Sequence, residues 1–204
     1  MNTSLIIFDF DGVIVDSFQS ALEVVREHQP NLVIHEDEYR ECFEGNVYEA
    51  AEEKKFCFVF SGFFDQYLPK ILQRDPVEGI SEVIRHLAES HSLSLISSTD
   101  SRVLREWLEK SRLLEYFKDI LGADVSKSKV EKFEMLFQKY GVEAKDCVFV
   151  TDTLGDLREA KKVGVRSIAV TYGFHSEETL RKGEFAALVH HASDIVKAVE
   201  VALK

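Results

Sequence analysis

Apolar positions along the chain follow two patterns, short continuous runs and longer helical stripes. The first run, Leu5–Phe8, has four bulky apolar residues in succession and predicts a strand buried on both faces. Further runs predict strands at 93–96, near 120–121, and at 147–150, 167–170 and 188–189. Helical stripes lie between them, for example over 80–88, 103–108 and 130–140, with a last helix from Asp194. Alternating strands and helices predict an α/β fold with a doubly wound parallel sheet.

The segment 17–75 departs from this alternation, because its pattern is helical and irregular and contains no run typical of a buried strand. Gly45-Asn46 indicates a turn within it, and the aromatic run Phe56–Phe60 indicates the core of a small packed unit. The sequence therefore predicts a core domain formed by residues 1–16 and 76–204 and a small helical domain, 17–75, inserted into it.

Polar residues follow three of the predicted strands. Asp9 and Asp11 come after the first strand, Ser97 after the second, and Asp152 and Asp156 after the strand at 147–150. Because the carboxyl ends of parallel strands lie at one edge of the sheet, we expect these side chains to converge. Two carboxylates 5 Å apart repel by about 3 kcal/mol at an effective dielectric of 20, so the cluster implies a bound cation or a raised pKa. Oxygen ligands alone favour Mg²⁺.

Composition narrows the classes of partner. The 36 acidic residues outnumber the 25 basic ones, and the net charge of -11 argues against nucleic acid or an anionic membrane as partner. The three cysteines have no Cys-X-X-Cys spacing, so we expect reduced thiols rather than a zinc site or a disulfide framework. The chain has no leader pattern and no apolar run long enough to span a bilayer, which predicts a cytoplasmic protein.

Four motifs in this order resemble a haloacid-dehalogenase-superfamily phosphatase of the phosphoglycolate-phosphatase type, with a small helical cap. They are Asp9–Val13, the strand end at Ser97, a lysine before the helix at 130–140, and Asp152–Asp156. Pro76–Gly79 also resembles the segment where such chains return from the cap to the core. The resemblance covers essentially the whole chain and implies a Rossmann-like core with the cap inserted at 17–75.

The resemblance implies a role for each acidic residue. Asp9 would be the nucleophile that forms an aspartyl-phosphate, and Asp11 would be the general acid and then the general base. Mg²⁺ would be bound by the Asp9 carboxylate, the Asp11 backbone carbonyl and the Asp152 carboxylate. Asp156 would support the metal through a water or a hydrogen bond.

The same resemblance implies substrate contacts. The Ser97 hydroxyl would hold a phosphoryl oxygen, with Ser98 as the alternative hydroxyl, and Gly12 would lie beside the substrate. Asn46, in the predicted cap turn, could select the leaving group, although an ordinary turn also explains this residue. Thr151 stands where many relatives have glycine, a small change that should not remove metal binding.

The lysine that would neutralise the transferring phosphoryl group has two candidates. Lys129 begins the helix, where Ser128 and Glu131 form a capping box, and this placement matches one group of relatives. Lys127 matches the spacing of relatives with a Lys-Pro-X-Pro segment, but the prolines are absent here. Lys129 is favoured, and Lys127 remains the alternative.

Histidines are not needed for this chemistry. His175 could lie near the rim of the crevice, but it is interpreted as an ordinary loop histidine. His190-His191 are interpreted as surface residues, because no spaced partner completes a metal set.

The predicted function is Mg²⁺-dependent hydrolysis of a small phosphorylated metabolite. A phosphomutase of the same superfamily is the nearest alternative, and a non-catalytic receiver-like module with an acidic Mg²⁺ pocket is the second. Haloalkanoate dehalogenation is disfavoured, because that reaction does not need Asp11 or the metal-binding carboxylates. The sequence leaves the substrate and the oligomeric state open.

Overall fold

The computed structural model describes residues 4–53 and 62–204, which include a six-stranded sheet in the order β3-β2-β1-β4-β5-β6. All strand pairs are parallel. The strands are β1 Leu5–Phe8, β2 Ser92–Ile96, β3 Phe117–Leu121, β4 Cys147–Thr151, β5 Arg166–Val170 and β6 Ala187–Val189. In this order β1 lies at the centre of the sheet, and the direction in which successive strands are added reverses between β1 and β4. Open α/β sheets bind ligands at such a reversal point.

Ten α-helices are present in the described residues, four of them between β1 and β2 before the core resumes. These four, called the inserted helices below, are α1 Phe18–His28, α2 Glu36–Glu41, α3 Val47–Glu53 and α4 Phe63–Ile71. The core helices are α5 Ile80–Ala88, α6 Ser101–Lys110, α7 Lys129–Tyr140, α8 Leu154–Lys162, α9 Glu177–Leu180 and α10 Ile195–Ala202. The chain leaves and re-enters the core at adjacent points, since Val77 N–H donates to the carbonyl of Ile14 at 2.9 Å.

The sheet is covered on both faces, which explains why β1 at its centre is apolar throughout. Ile6 and Phe8 pack into the larger apolar cluster, which contains residues of α5, α6 and α10. Leu5 and Ile7 point the other way, into a second cluster with Phe133 of α7. A strand whose successive side chains enter two different cores must be hydrophobic at every position.

The predicted fold class is confirmed, because the chain forms a parallel, doubly wound α/β sheet with all six predicted strands. Gly141 ends α7 in the left-handed region, at φ 62°, where glycine is favoured. Helices α8 and α9 were not predicted from the sequence. The Phe56–Phe60 run lies outside the described residues.

The cysteines differ from the expectation of reduced thiols throughout. Cys147 is a buried free thiol, as expected, but Cys42 is disulfide-bonded. The expectation was therefore wrong for Cys42, because sequence spacing alone does not reveal which side chains the fold brings together. No helix in the described residues is both long and apolar enough to cross a membrane.

Candidate active site

Asp9 lies at the carboxyl edge of the sheet, one residue beyond β1. Its N–H donates to the carbonyl of Val150 at 2.9 Å, so the strand ladder continues through this residue and fixes its backbone. The Asp9 side chain is buried, and its Oδ1 accepts the Phe10 N–H at 2.7 Å. A carboxylate thus stands at the reversal point of the sheet with one oxygen already oriented.

Lys129, the first residue of α7, bridges two of the predicted carboxylates. Its Nζ lies 2.8 Å from Asp9 Oδ2 and 2.5 Å from Asp156 Oδ2, and the side chain is almost completely buried. The Lys129 backbone N–H donates to Glu159 at 3.0 Å, which holds the start of the helix against α8. Lys127, by contrast, is exposed, and its Nζ lies 5.1 Å from the centre of the Tyr48 ring. The structure brings Lys129, and not Lys127, to the carboxylates.

Burial and the neighbouring opposite charges shift the pKa values of Asp9, Asp156 and Lys129 in opposite directions. Burial raises the pKa of Asp9 well above its usual value, and the Lys129 ammonium offsets only part of that effect. For Asp156, burial also favours the neutral acid, but Lys129 and the hydrogen bonds prevail and lower its pKa. Burial would lower the pKa of Lys129, yet the two carboxylates outweigh it and raise that pKa. Lys129 is therefore a permanent cation beside Asp9.

Asp152 is fully buried just beyond β4, and only one of its oxygens has a partner in the described part of the chain. Its Oδ2 accepts the Phe174 N–H at 2.7 Å, while Oδ1 makes no hydrogen bond there. A Cβ on Gly12 or on Gly173 would lie 1.9 or 2.3 Å from Oδ2, so only glycine fits at these two contacts. Burial raises the pKa of Asp152 to about 8.

The donor set at this edge fits a hard divalent cation. An orphaned buried carboxylate oxygen costs free energy unless it is protonated or binds a cation, and Asp152 Oδ1 is such an oxygen. The predicted ligands are two carboxylates and one backbone carbonyl. No group of three or more His, Cys, Asp or Glu side chains in residues 4–53 and 62–204 is arranged to bind a metal. Asp156 is instead engaged by Lys129 and, at 2.7 Å, by the Thr151 hydroxyl.

Asp11 is directed towards hydroxyl groups on both sides. Its Oδ1 accepts the Tyr67 hydroxyl of α4 at 2.5 Å, and its Oδ2 accepts the Thr99 hydroxyl at 2.7 Å and the Ser97 hydroxyl at 3.4 Å. Burial and the nearby Asp11 raise the pKa of Tyr67, which keeps its hydroxyl protonated. Asp11 therefore lies between α4 and the loop that follows β2.

Ser97 and Ser98 follow β2 in different environments. The Ser97 hydroxyl is buried, accepts the Thr99 N–H at 3.0 Å and donates to Asp11 Oδ2 at 3.4 Å. The Ser98 carbonyl accepts the Tyr48 hydroxyl at 2.7 Å. Lys132, fully buried, donates to the Ser97 carbonyl at 2.5 Å, and burial lowers its pKa to about 8. The loop after β2 is thus fixed from both the core and α3.

Asn46 and Gly12 have structural contacts of their own. Asn46 lies before α3, where its Oδ1 accepts the Tyr48 N–H at 3.0 Å and its Nδ2 donates to the Lys127 carbonyl at 2.9 Å. Asn46 nevertheless lines the cavity, whereas Gly12 is not among its lining residues and packs on Asp152. The structure therefore places Asn46, and not Gly12, beside the space that a substrate would enter.

A cavity of about 70 Å³ lies between the sheet edge and the inserted helices. Its floor contains Asp9, Asp11, Ser97 and Lys129, and most of its wall is apolar. The aromatic residues that line it are Tyr39, Phe43, Phe63, Phe64, Tyr67 and Phe174.

Four residues at or near the site were not identified from sequence: Tyr67, Thr99, Lys132 and Glu159. Thr99 and Lys132 had a usable signal, since Thr99 follows Ser97 by two residues and Lys132 follows Lys129 by one helical turn. Tyr67 had none, because its contact with Asp11 spans 56 residues. His175 lies in a loop as expected but is buried, and its Nδ1 accepts the Leu154 N–H at 2.9 Å.

Comparisons with known proteins identify chains of similar sequence and fold. The family model described as haloacid dehalogenase-like hydrolase matches residues 6–170. A 5'-nucleotidase of Pseudomonas aeruginosa is 26% identical, covering 96% of this chain and 94% of the relative. A phosphoglycolate phosphatase of Synechococcus elongatus is 23% identical, covering 95% and 96%. The crystal structure of a predicted phosphatase from Clostridium acetobutylicum superposes with a TM-score of 0.81 at 20% identity, covering 98% and 99% of the two chains.

Proposed function

The chain belongs to the haloacid dehalogenase-like hydrolases, and from this premise we propose that it hydrolyses a small phosphomonoester through an aspartyl-phosphate on Asp9. The observation that supports this most directly is the buried contact of Lys129 with both Asp9 and Asp156. It puts a fixed positive charge beside a carboxylate at the reversal point of the sheet, which is the arrangement that phosphoryl transfer needs. The names of the relatives, a nucleotidase and a phosphoglycolate phosphatase, agree with a phosphomonoester as substrate.

In the first step an oxygen of Asp9 forms a bond to phosphorus while the bond to the ester oxygen breaks. The electron pair of the broken bond stays on the ester oxygen, which takes the proton of the Asp11 carboxylic acid and leaves as an alcohol. Lys129 stabilises the negative charge on the transferring group, and the Ser97 hydroxyl donates to one of its oxygens. Asp11 ends this step as a carboxylate.

In the second step a water oxygen attacks phosphorus and gives a proton to Asp11. The bond between phosphorus and the Asp9 oxygen breaks, and its electron pair restores the Asp9 carboxylate. Inorganic phosphate is released, and Asp11 is again the acid that the next cycle needs. One residue serves both steps because the leaving alcohol and the attacking water approach phosphorus from the same side.

Mg²⁺ would be held by the Asp152 carboxylate, the Asp9 carboxylate and the Asp11 carbonyl. When bound it neutralises charge on the phosphoryl oxygens and on the carboxylates. The Asp152 Oδ1 atom supports this assignment, because it makes no hydrogen bond in the described part of the chain. The close approach of Gly12 and Gly173 to the same carboxylate also supports it. Asp156 contributes indirectly, since it orients Lys129.

The leaving group would meet the aromatic wall of the cavity. Among the described residues that line it, Lys129 is the one basic side chain, and it is already paired with carboxylates. A leaving group with its own negative charge would find no cation there, whereas an uncharged or aromatic one would bury apolar surface. We therefore propose phosphomonoesters of uncharged alcohols as the preferred substrates.

The test is turnover of p-nitrophenyl phosphate and of a panel of phosphorylated metabolites, with Mg²⁺ and with EDTA. We expect phosphate release that needs both the metal and Asp9, with Asp9→Asn inactive. Full activity of Asp9→Asn would refute the nucleophile. Isomerisation of a hexose 1-phosphate without phosphate release would identify a mutase instead, and a single stable phosphoryl group without turnover would identify a receiver-like module.

A further inference from the structure

Tyr67 links the inserted helices to the catalytic carboxylates. It lies on α4, and its hydroxyl donates to Asp11 Oδ1 at 2.5 Å. Within residues 4–53 and 62–204, no other side chain of the inserted helices has a hydrogen bond to Asp9, Asp11, Asp152 or Asp156. The contact is therefore a specific connection between α4 and the residue that exchanges protons.

The environment of Tyr67 fixes the direction of this contact. The side chain is almost completely buried, and its ring stacks on Phe63 with 5.6 Å between the ring centres. On the opposite side of Asp11, the Thr99 hydroxyl donates to Oδ2 at 2.7 Å. One hydroxyl from α4 and one from the core thus hold the two oxygens of Asp11, and the carboxyl group can rotate only by breaking one of these bonds.

A tyrosine hydroxyl suits both protonation states of Asp11. It donates to the carboxylate and accepts a hydrogen bond from the carboxylic acid, so the contact can persist as the proton leaves and returns. Thr99 and Ser97 belong to the loop after β2, whereas Tyr67 belongs to α4, so the Tyr67 contact requires α4 to lie where the structure shows it. Orientation of Asp11 then depends on α4.

We propose that Tyr67 is a positioning residue that orients Asp11 for proton transfer to the leaving group and makes that transfer depend on the docking of α4. The proposal rests on the proposed phosphatase function. The proton passes from Asp11 to the ester oxygen as its bond to phosphorus breaks, and Tyr67 neither gains nor loses an atom. An ester whose leaving group departs as a stable anion needs no such proton, so only esters of poorly acidic alcohols depend on Tyr67.

The experiment compares Tyr67→Phe with the parent protein on p-nitrophenyl phosphate and benzyl phosphate, both in Mg²⁺. The value of kcat/KM is measured, because it reports the steps up to departure of the alcohol. We expect kcat/KM for benzyl phosphate to fall by about tenfold or more, a part of what general acid catalysis supplies, and that for p-nitrophenyl phosphate to change little. Phenylalanine keeps the ring and its contact with Phe63.

Tyr140→Phe is the matched control. The Tyr140 hydroxyl donates to Asp119 Oδ2 at 2.5 Å, a tyrosine–aspartate hydrogen bond of the same length that lies away from the cavity. Thermal unfolding of both variants measures the structural cost of losing such a bond, and the control should hydrolyse both esters as the parent does. Equal losses on the two esters, or no loss on either, would overturn the role of Tyr67. No phosphate release by the parent would instead refute the phosphatase function itself.

Discussion

Lys129 Nζ and Asp156 Oδ2 lie 2.5 Å apart in a buried ion pair, and the same nitrogen lies 2.8 Å from Asp9. Asp156 lies in the first turn of α8 and Lys129 begins α7, so the starts of two helices are joined at the sheet edge. A buried pair of this kind costs desolvation and is weak evidence for stability by itself. Its value here is geometric, because Asp156 determines where the cation stands relative to Asp9.

Replacing Lys129 should remove activity, and replacing Lys127 should not. Lys129→Met deletes the cation beside Asp9, and we expect kcat to fall by about 10²- to 10³-fold or more, as for loss of a main charge-stabilising donor. Lys127→Met removes an exposed charge and should retain nearly full activity. Steady-state hydrolysis of p-nitrophenyl phosphate by the two variants decides between them. The reverse result would assign the phosphate-binding role to Lys127.

The glycine contacts of Asp152 predict a steric effect on metal binding. Gly173→Ala would place a Cβ 2.3 Å from Asp152 Oδ2, and Gly173 needs no positive φ, so the effect is one of space alone. We expect a loss of about 1–3 kcal/mol in the free energy of unfolding and weaker activation by Mg²⁺. Gly45→Ala is the control for stability, because a Cβ there meets nothing within 4 Å. Unchanged Mg²⁺ activation in Gly173→Ala would contradict the assigned role of Asp152.

The sequence predicted the sheet, and most of the polar residues that the structure brings together at its edge, for a physical reason. A strand that enters two cores must be continuously apolar, so β1 and β4 are visible as runs, and the polar residues that end them are conspicuous. Lys129 was visible through the predicted capping box, of which only one half forms. The Ser128 hydroxyl accepts the Glu131 N–H, but the Glu131 carboxylate accepts the Ser126 hydroxyl instead. The contact of Tyr67 with Asp11 could not be read, because it depends on how α4 packs, and a tyrosine among apolar neighbours looks like any core residue.

Protonation of Asp152 predicts how the stability of the metal-free protein depends on pH. Its pKa is about 8 in the folded chain, above the usual 3.8, so the folded state binds a proton more tightly than the unfolded state. This contribution to stability is fully present below pH 4 and is lost as pH rises through about 8. In EDTA, Tm should therefore fall between these values more steeply in the parent than in Asp152→Asn.

Mg²⁺ should reverse that trend, because the cation competes with the proton for the same carboxylate. We expect the increase in Tm at a fixed Mg²⁺ concentration to be larger at pH 8 than at pH 6, and to disappear in Asp152→Asn. Differential scanning calorimetry at both pH values gives the comparison. An increase that does not depend on pH would show that the cation does not bind at Asp152.

The aromatic wall predicts selection against negatively charged leaving groups. Benzyl phosphate and 2-phosphoglycolate are both esters of poorly acidic alcohols, but one has a phenyl ring where the other has a carboxylate. The ring would bury apolar surface against residues such as Phe64, whereas the carboxylate would face Glu159 and Asp156 on the cavity lining with Lys129 already paired. We expect kcat/KM to be at least about tenfold higher for benzyl phosphate, a difference of about 1.4 kcal/mol.

The control substrate is 4-carboxybenzyl phosphate, which keeps the ring and adds a negative charge. The added carboxylate should remove most of the difference in kcat/KM between benzyl phosphate and 2-phosphoglycolate. Preferred hydrolysis of 2-phosphoglycolate would show that a cation outside the described lining reaches the leaving group, and the phosphatase function would stand while the proposed selectivity would fall.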